Sequence, residues 1–203
     1  MNDSSDLVFR KGVVFSPALV QFFWVALFAA ATMLSARLEI PHQPVPYTLQ
    51  TLMVLLSGAF LGPRNGMLSQ LAYIAAGVLG APVFAGGAAG IARILGPSGG
   101  YILSFPLASA LVGYLLDGRH SLLRTALSMA AGLAVVFTLG ALHLGIFFTH
   151  SIGTAFQAGV VIFSWWDLLK LSAASMIYFE LGKRWRKVPP APRRNESDPS
   201  QRR

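Results

Sequence analysis

Two ionisable residues interrupt an apolar run that is otherwise long enough to cross a bilayer. Asp167 and Lys170 lie in S-W-W-D-L-L-K-L-S-A-A, three residues apart and so nearly on one helical face. Charges inside such a run are costly, usually face the bundle interior and mark functional sites. Aspartate offers acceptors and lysine donors, which suits a ligand edge carrying both N–H and C=O groups. The bland alternative is a mutually neutralising pair that fixes packing, although such pairs add little stability over apolar side chains. Arg93 supplies a planar cation for a carboxylate if it turns inward, or an interfacial arginine snorkelling toward headgroups. Gln50, polar in the first turns of a helix, either orients a ligand or caps its own backbone. Phe84, Tyr101, Trp165 and Trp166 are apolar walls or interfacial anchors, and anchoring suits the two tryptophans better.

Other chemistry is weaker. Gly96-Pro97-Ser98-Gly99-Gly100 formally matches G-x-S-x-G, with His143 as a base in a later helix. A nucleophile needs that base within hydrogen-bond reach and an oxyanion hole, yet the pattern predicts no strand-turn-helix elbow. The same residues also read as helix-breaking punctuation with Ser98 as N-cap. His42, His120 and His150 sit in loops without ligand spacing, so no metal site and no cofactor is expected.

These residues must be positioned by a largely apolar chain. Its 203 residues are 54% hydrophobic and 12% charged, about half the usual ~25% charge of soluble proteins. Several runs approach the ~20 residues that span a bilayer. The chain lacks cysteine, which excludes disulfides and thiolate sites. Net charge is +8, but eight of the sixteen basic residues crowd into 183–203. A basic tail beside a membrane helix is a topology signal and a contact for anionic lipid, not evidence of nucleic-acid binding.

In order, 1–16 is a short polar N-terminal segment and 17–38 the first membrane helix. Its Ala26 and Ala30, four apart beside Ala29, Ala31 and Ser35, allow close approach of internal helices or of an external partner. Residues 37–47, with three prolines, form a connection. Runs at 48–61 and 67–80 flank a tight turn at 62–66. A helix at 99–116 carries Pro106 as a kink, a polar turn follows at 117–120, and a long run covers 122–148. A weakly polar loop at 149–158 leads to the last helix, 160–182, and 183–203 is a disordered tail.

The expectation is therefore an all-α, six-helix multi-pass bundle. Placing both termini in the cytoplasm puts thirteen basic residues there, against Arg37 and Arg93 outside, as the positive-inside rule favours. Between the third and fourth helices runs P-V-F-A-G-G-A-A-G-I-A-R-I-L-G-P-S-G-G-Y, residues 82–101, with six glycines, two prolines and one charge. Such a long loop is functional or disordered, and its low polarity argues for order. We expect this external stretch, including Phe84, Gly86, Arg93 and Tyr101, to fold back over a small-molecule site.

Four stretches together carry a resemblance. Pro44-Val45-Pro46-Tyr47-Thr48-Leu49-Gln50-Thr51 and Leu61-Gly62-Pro63-Arg64-Asn65-Gly66 resemble its first two signatures. Gly80-Ala81-Pro82-Val83-Phe84-Ala85-Gly86-Gly87 with Leu95-Gly96-Pro97-Ser98-Gly99-Gly100-Tyr101 resembles the third, and Asp167-Leu168-Leu169-Lys170 the fourth. The pattern is similar to that of BioY, the biotin-specific S component of energy-coupling-factor (ECF) transporters, across about residues 17–182. The chain departs from it at Ser164-Trp165-Trp166, where the family has a proline-glycine lead-in. The resemblance implies six helices in the plasma membrane and an external biotin pocket. In many members it also implies a transmembrane coupling protein and two ATPases as partners. It implies that Asp167 and Lys170 hold the ureido ring, that Arg93 faces the carboxylate, and that Ala26 and Ala30 belong to the docking face. Biotin would be cargo rather than cofactor, and the chain no enzyme. No phosphate-binding loop occurs, so ATP use would fall to other subunits. The alternatives are an S component for another vitamin, an intramembrane serine protease using Ser98 and His143, and a ligand-free scaffold. A homo-oligomer is left open.

Overall fold

The computed structural model describes residues 16–117, 121–151, 153 and 165–182. Outside the described residues lie the N-terminal segment up to residue 15, positions 118–120 of the polar turn and most of the loop after Thr149. So do residues 160–164 of the last helix and the basic tail at 183–203.

The element that sets the architecture is a helix that doubles back on itself. α2 (Gln50–Val78) is interrupted at one residue, Gly62, at φ 78° and ψ −179°, a conformation essentially confined to glycine. Pro63 follows as the first residue of the second arm, where its missing N–H costs nothing. The chain thereby reverses. Gln50 in the first arm bonds Tyr73 in the second, and Gln70 Nε2 donates to Ser57 Oγ at 3.0 Å. The turn expected over 62–66 is thus a single residue, with 63–66 already helical.

Around this hairpin pack α1 (Pro17–Ser35), α4 (Gly99–Leu115), α5 (Leu122–Leu144) and α6 (Trp165–Gly182). Ser16 caps α1 by accepting the Leu19 N–H at 3.2 Å. α4 lies against both arms of α2 and approaches most closely where glycines leave no side chain between the backbones. A Cβ on Gly58 would collide with the Ser109 backbone, and one on Gly113 with Gly62 and Pro63. Such close approach of small residues is how helices associate without a hydrophobic drive. At this junction Gln70 also donates to Thr32 Oγ1 at 3.3 Å, and the Ser57 and Ser109 hydroxyls meet at 2.9 Å. All four partners are fully buried, so the network joins α1, both arms of α2 and α4 with its polar atoms satisfied.

α4 continues through the buried Pro106. α5 runs on into a π-type turn at Gly145–Thr149. Two described stretches, Ala18–Ser35 and Leu122–Thr149, are long and apolar enough to cross a membrane, and Gly99–Leu115 is a shorter apolar helix. Large apolar side chains such as Phe22, Leu34 and Leu123 point outward, 70–71% exposed.

The connections are more structured than their composition suggested. The proline-rich segment after α1 holds a short antiparallel pair, β1 (Glu39–Ile40) with β2 (Tyr47–Thr48), in register Glu39↔Thr48 and Ile40↔Tyr47. The Gly-rich stretch contains a 3₁₀ turn at Ala85–Gly87 and a short helix, α3 (Ile91–Leu95). Gly86, Gly87 and Gly90 there have φ between 71° and 83°, which β-carbon-bearing residues avoid.

Candidate functional site

β2, the first turn of α2, α3, α4, α5 and α6 converge on one cavity of about 60 Å³. From α6 it takes Asp167 and Lys170, both nearly fully buried. Asp167 Oδ1 stands 2.6 Å from Lys170 Nζ, a close ion pair rather than an aligned hydrogen bond. The lysine also donates to the Thr48 carbonyl at 3.2 Å, which ties α6 to β2.

Gln50 lines the same cavity, fixed from two sides. Its Nε2 donates to the Tyr73 hydroxyl, and its Oε1 accepts from Thr48 Oγ1 at 2.9 Å. The Gln50 side chain is therefore not a cap for its own backbone. It is an amide held in one orientation by the neighbouring strand and the second arm of α2.

α3 contributes Arg93 and α4 contributes Tyr101. Arg93 Nε, Tyr101 Oη and Thr51 Oγ1 are buried without a hydrogen-bond partner among the described residues, and all three residues line this cavity. Leaving such a group unsatisfied costs about 1–3 kcal/mol each, more for a charged one. All three are concentrated around one space. Val136, Phe137, Ile102 and Phe105 add apolar wall. A second cavity of about 290 Å³, lined in part by Glu39, Leu49 and Trp166, shares Tyr47, Thr48 and Lys170 with the first.

The structure thus brings together Gln50, Arg93, Tyr101, Asp167 and Lys170, but leaves Phe84 and Gly86 outside the cavity lining. Phe84 is fully buried. Its ring occupies the space that a Cβ on Gly77 would need and meets Tyr73 edge-on, with centroids 5.6 Å apart. Gly86 turns the backbone near Glu39 instead. Thr51, Tyr73 and the 45–48 wall escaped the residue-by-residue reading. The P-V-P-Y-T-L-Q-T string had marked their neighbourhood, whereas Tyr73, in an apolar run, carried no signal. Ala26 and Ala30 lie exposed on α1, while Ala29 is buried at 3% exposure.

Ser98 also borders the cavity, but it makes no side-chain cap bond. His143 Nε2 lies 3.2 Å from the Gly96 carbonyl oxygen, and no hydrogen bond joins it to Ser98 among the described residues. The G-x-S-x-G string runs from the end of α3 into the first turn of α4 rather than over a strand-to-helix elbow, so it carries no support for a serine nucleophile.

The model of the BioY family matches residues 10–187. The chain belongs to the BioY family. Among curated BioY proteins, the biotin transporter BioY of Thermotoga maritima is 37% identical over 80% of this chain and 96% of its own length. The probable biotin transporter BioY of Pyrococcus horikoshii is 42% identical over 75% and 90% respectively. The fold is similar to the crystal structure of the S-component for biotin from an ECF-type ABC transporter. That match has a TM-score of 0.77 at 26% identity and covers 84% of this chain and 95% of the other. These BioY relatives are membrane transport proteins rather than enzymes.

Proposed function

We propose that this chain captures biotin at the outer face of the plasma membrane as the S component of an ECF transporter. The observation that carries the reading is the cluster of unpartnered buried polar groups beside an ion pair in one cavity. Biotin presents a ureido edge with donors and an acceptor, an apolar bicycle and chain, and one carboxylate. Asp167 accepts from the ureido N–H groups and Lys170 donates to its carbonyl. Arg93 meets the carboxylate through a charge-assisted hydrogen bond, with Tyr101 and the amide of Gln50 beside them. Val136, Phe137 and Phe105 enclose the apolar part.

At about 60 Å³ the cavity is well below the ~300–1,000 Å³ of small-molecule sites. Admission of biotin therefore requires the cover to move outward, and α3 with the flanking glycines is that cover. In this reading residues 17–182 form six membrane-crossing helices, counting the two arms of α2 separately. Both termini and the basic tail lie in the cytoplasm, and the 82–101 stretch lies outside. The exposed Ala26 and Ala30 on α1 meet a transmembrane coupling protein, whose ATPase subunits supply the energy.

Equilibrium binding of labelled biotin to the purified chain tests the proposal, beside Asp167→Asn and Arg93→Ala. Wild type binds, and each substitution weakens binding at least about tenfold, since each removes a charge-assisted bond in a desolvated site. Folded wild-type protein that holds no biotin would sink the assignment and turn attention to other vitamins.

A further inference from the structure

His143 takes no part in the capture described above and lies outside the cavity lining. Its Nε2 is 3.2 Å from the Gly96 carbonyl oxygen. A carbonyl only accepts, so the ring carries its proton on Nε2 and donates it. This bond ties α5 to the turn between α3 and α4, just beyond Arg93. The contact depends on two glycines. A Cβ on Gly99 would run into the Ile94 carbonyl, and one on Gly100 into the His143 side chain and the Leu139 carbonyl.

The first half of the Gly-rich stretch at 82–101 is held by other means. Arg37 Nη2 donates to the Pro82 carbonyl at 2.6 Å. Phe84 is plugged into the core above Gly77, and the Gly90 N–H bonds the Gly77 carbonyl at 2.7 Å. Between Gly90, at φ 83° with open space around it, and Gly96 lies only the short α3. It sends Ile94 into the core and leaves Ile91 and Leu95 54% and 68% exposed. Arg93 therefore rides on a segment fixed firmly at its start. At its far end Ile94 anchors it in the core, the Gly99 N–H bonds the Gly96 carbonyl at 2.9 Å, and His143 adds a side-chain bond to that same carbonyl.

We propose that His143 is the positioning residue for Arg93. By holding the Gly96 carbonyl it sets where the guanidinium stands over the cavity, and release of that bond lets α3 swing outward about Gly90. The identity of the ligand rests on the biotin reading; the latch itself does not.

The test uses the full chain in lipid nanodiscs with two readouts. Amide hydrogen exchange of ligand-free protein is compared for wild type, His143→Ala and His143→Gln, and dissociation rates are measured for biotin and for its uncharged carboxamide. His143→Ala speeds exchange within 91–98 and not in the α2 hairpin. It also releases biotin about fivefold faster, the equivalent of one lost hydrogen bond, while carboxamide release stays unchanged. His143→Gln, whose amide N–H can reach the same carbonyl, restores both. In an Arg93→Ala background His143→Ala adds nothing, because the histidine acts through that arginine. Equal acceleration for both ligands, additivity with Arg93→Ala, or unaltered exchange at 91–98 would each overturn the proposal. If wild type bound no biotin, the ligand reading would fail and the exchange readout alone would decide the latch.

Discussion

At the residue scale, the cavity combines a buried ion pair with buried polar groups that have no partner among the described residues. The Asp167–Lys170 pair is buried and mutually compensated, so removing one partner strands the other charge. Breaking such a pair typically costs about 3–5 kcal/mol. Weaker binding in Asp167→Asn therefore carries a stability loss that Arg93→Ala does not share, and thermal unfolding of the two variants separates the effects. Gln50 depends on a neighbour outside the cavity, since the Tyr73 hydroxyl accepts its amide proton. Tyr73→Phe keeps the ring packed on Phe84 and Phe105 but frees the amide to rotate. Biotin affinity should fall about fivefold, the worth of one hydrogen bond of about 1 kcal/mol, and the melting temperature by several degrees, because the buried Gln50 N–H loses its acceptor. Titration calorimetry beside a thermal melt checks both halves.

At the element scale, the α2 reversal places Gln50 and Tyr73 side by side although they are 23 positions apart. It rests on Gly62 at positive φ. Gly62→Ala has open space around the new methyl, so its penalty is backbone strain alone, about 1–3 kcal/mol for this glycine-only region. The expected outcome is a melting temperature lower by several degrees with biotin affinity nearly unchanged. A larger loss of affinity than of stability would mean that the hairpin sets the Gln50 position more tightly than its hydrogen bonds do. The interruption itself was legible, because glycine followed by proline punctuates any helix. Its one-residue width was not, since it depends on Pro63 fitting the first helical position and on α4 pressing Gly113 against the bend.

At the scale of the whole molecule, the proposed assembly assigns two surfaces to different neighbours. Most exposed leucines and phenylalanines lie on spans that lipid would cover, while Ala26 and Ala30 leave one stripe of α1 shallow enough for another helix. Ala26→Leu with Ala30→Leu should abolish co-purification with the coupling protein while biotin binding by the isolated chain stays within about twofold, because neither residue borders the cavity. Loss of biotin binding as well would mean that α1 shapes the site rather than the assembly. Ala29→Leu is the contrasting variant. Ala29 is buried within the chain, so overpacking there costs about 1–3 kcal/mol and lowers the melting temperature.

The sequence by itself determined the helical class, the approximate runs and the residues able to do chemistry. A charge in an apolar run, a long glycine-rich insert and a glycine-proline pair each break a local rule that solvent and backbone sterics impose. Only the tertiary structure decided which of them meet. Gln50, Arg93, Tyr101, Asp167 and Lys170 come from four helices, and their convergence follows from how glycines let those helices approach. Phe84 fell to the core and His143 to the Gly-rich stretch for the same reason. An aromatic ring fills whichever space a neighbouring glycine leaves, and a histidine donates to whichever carbonyl the packing brings within reach.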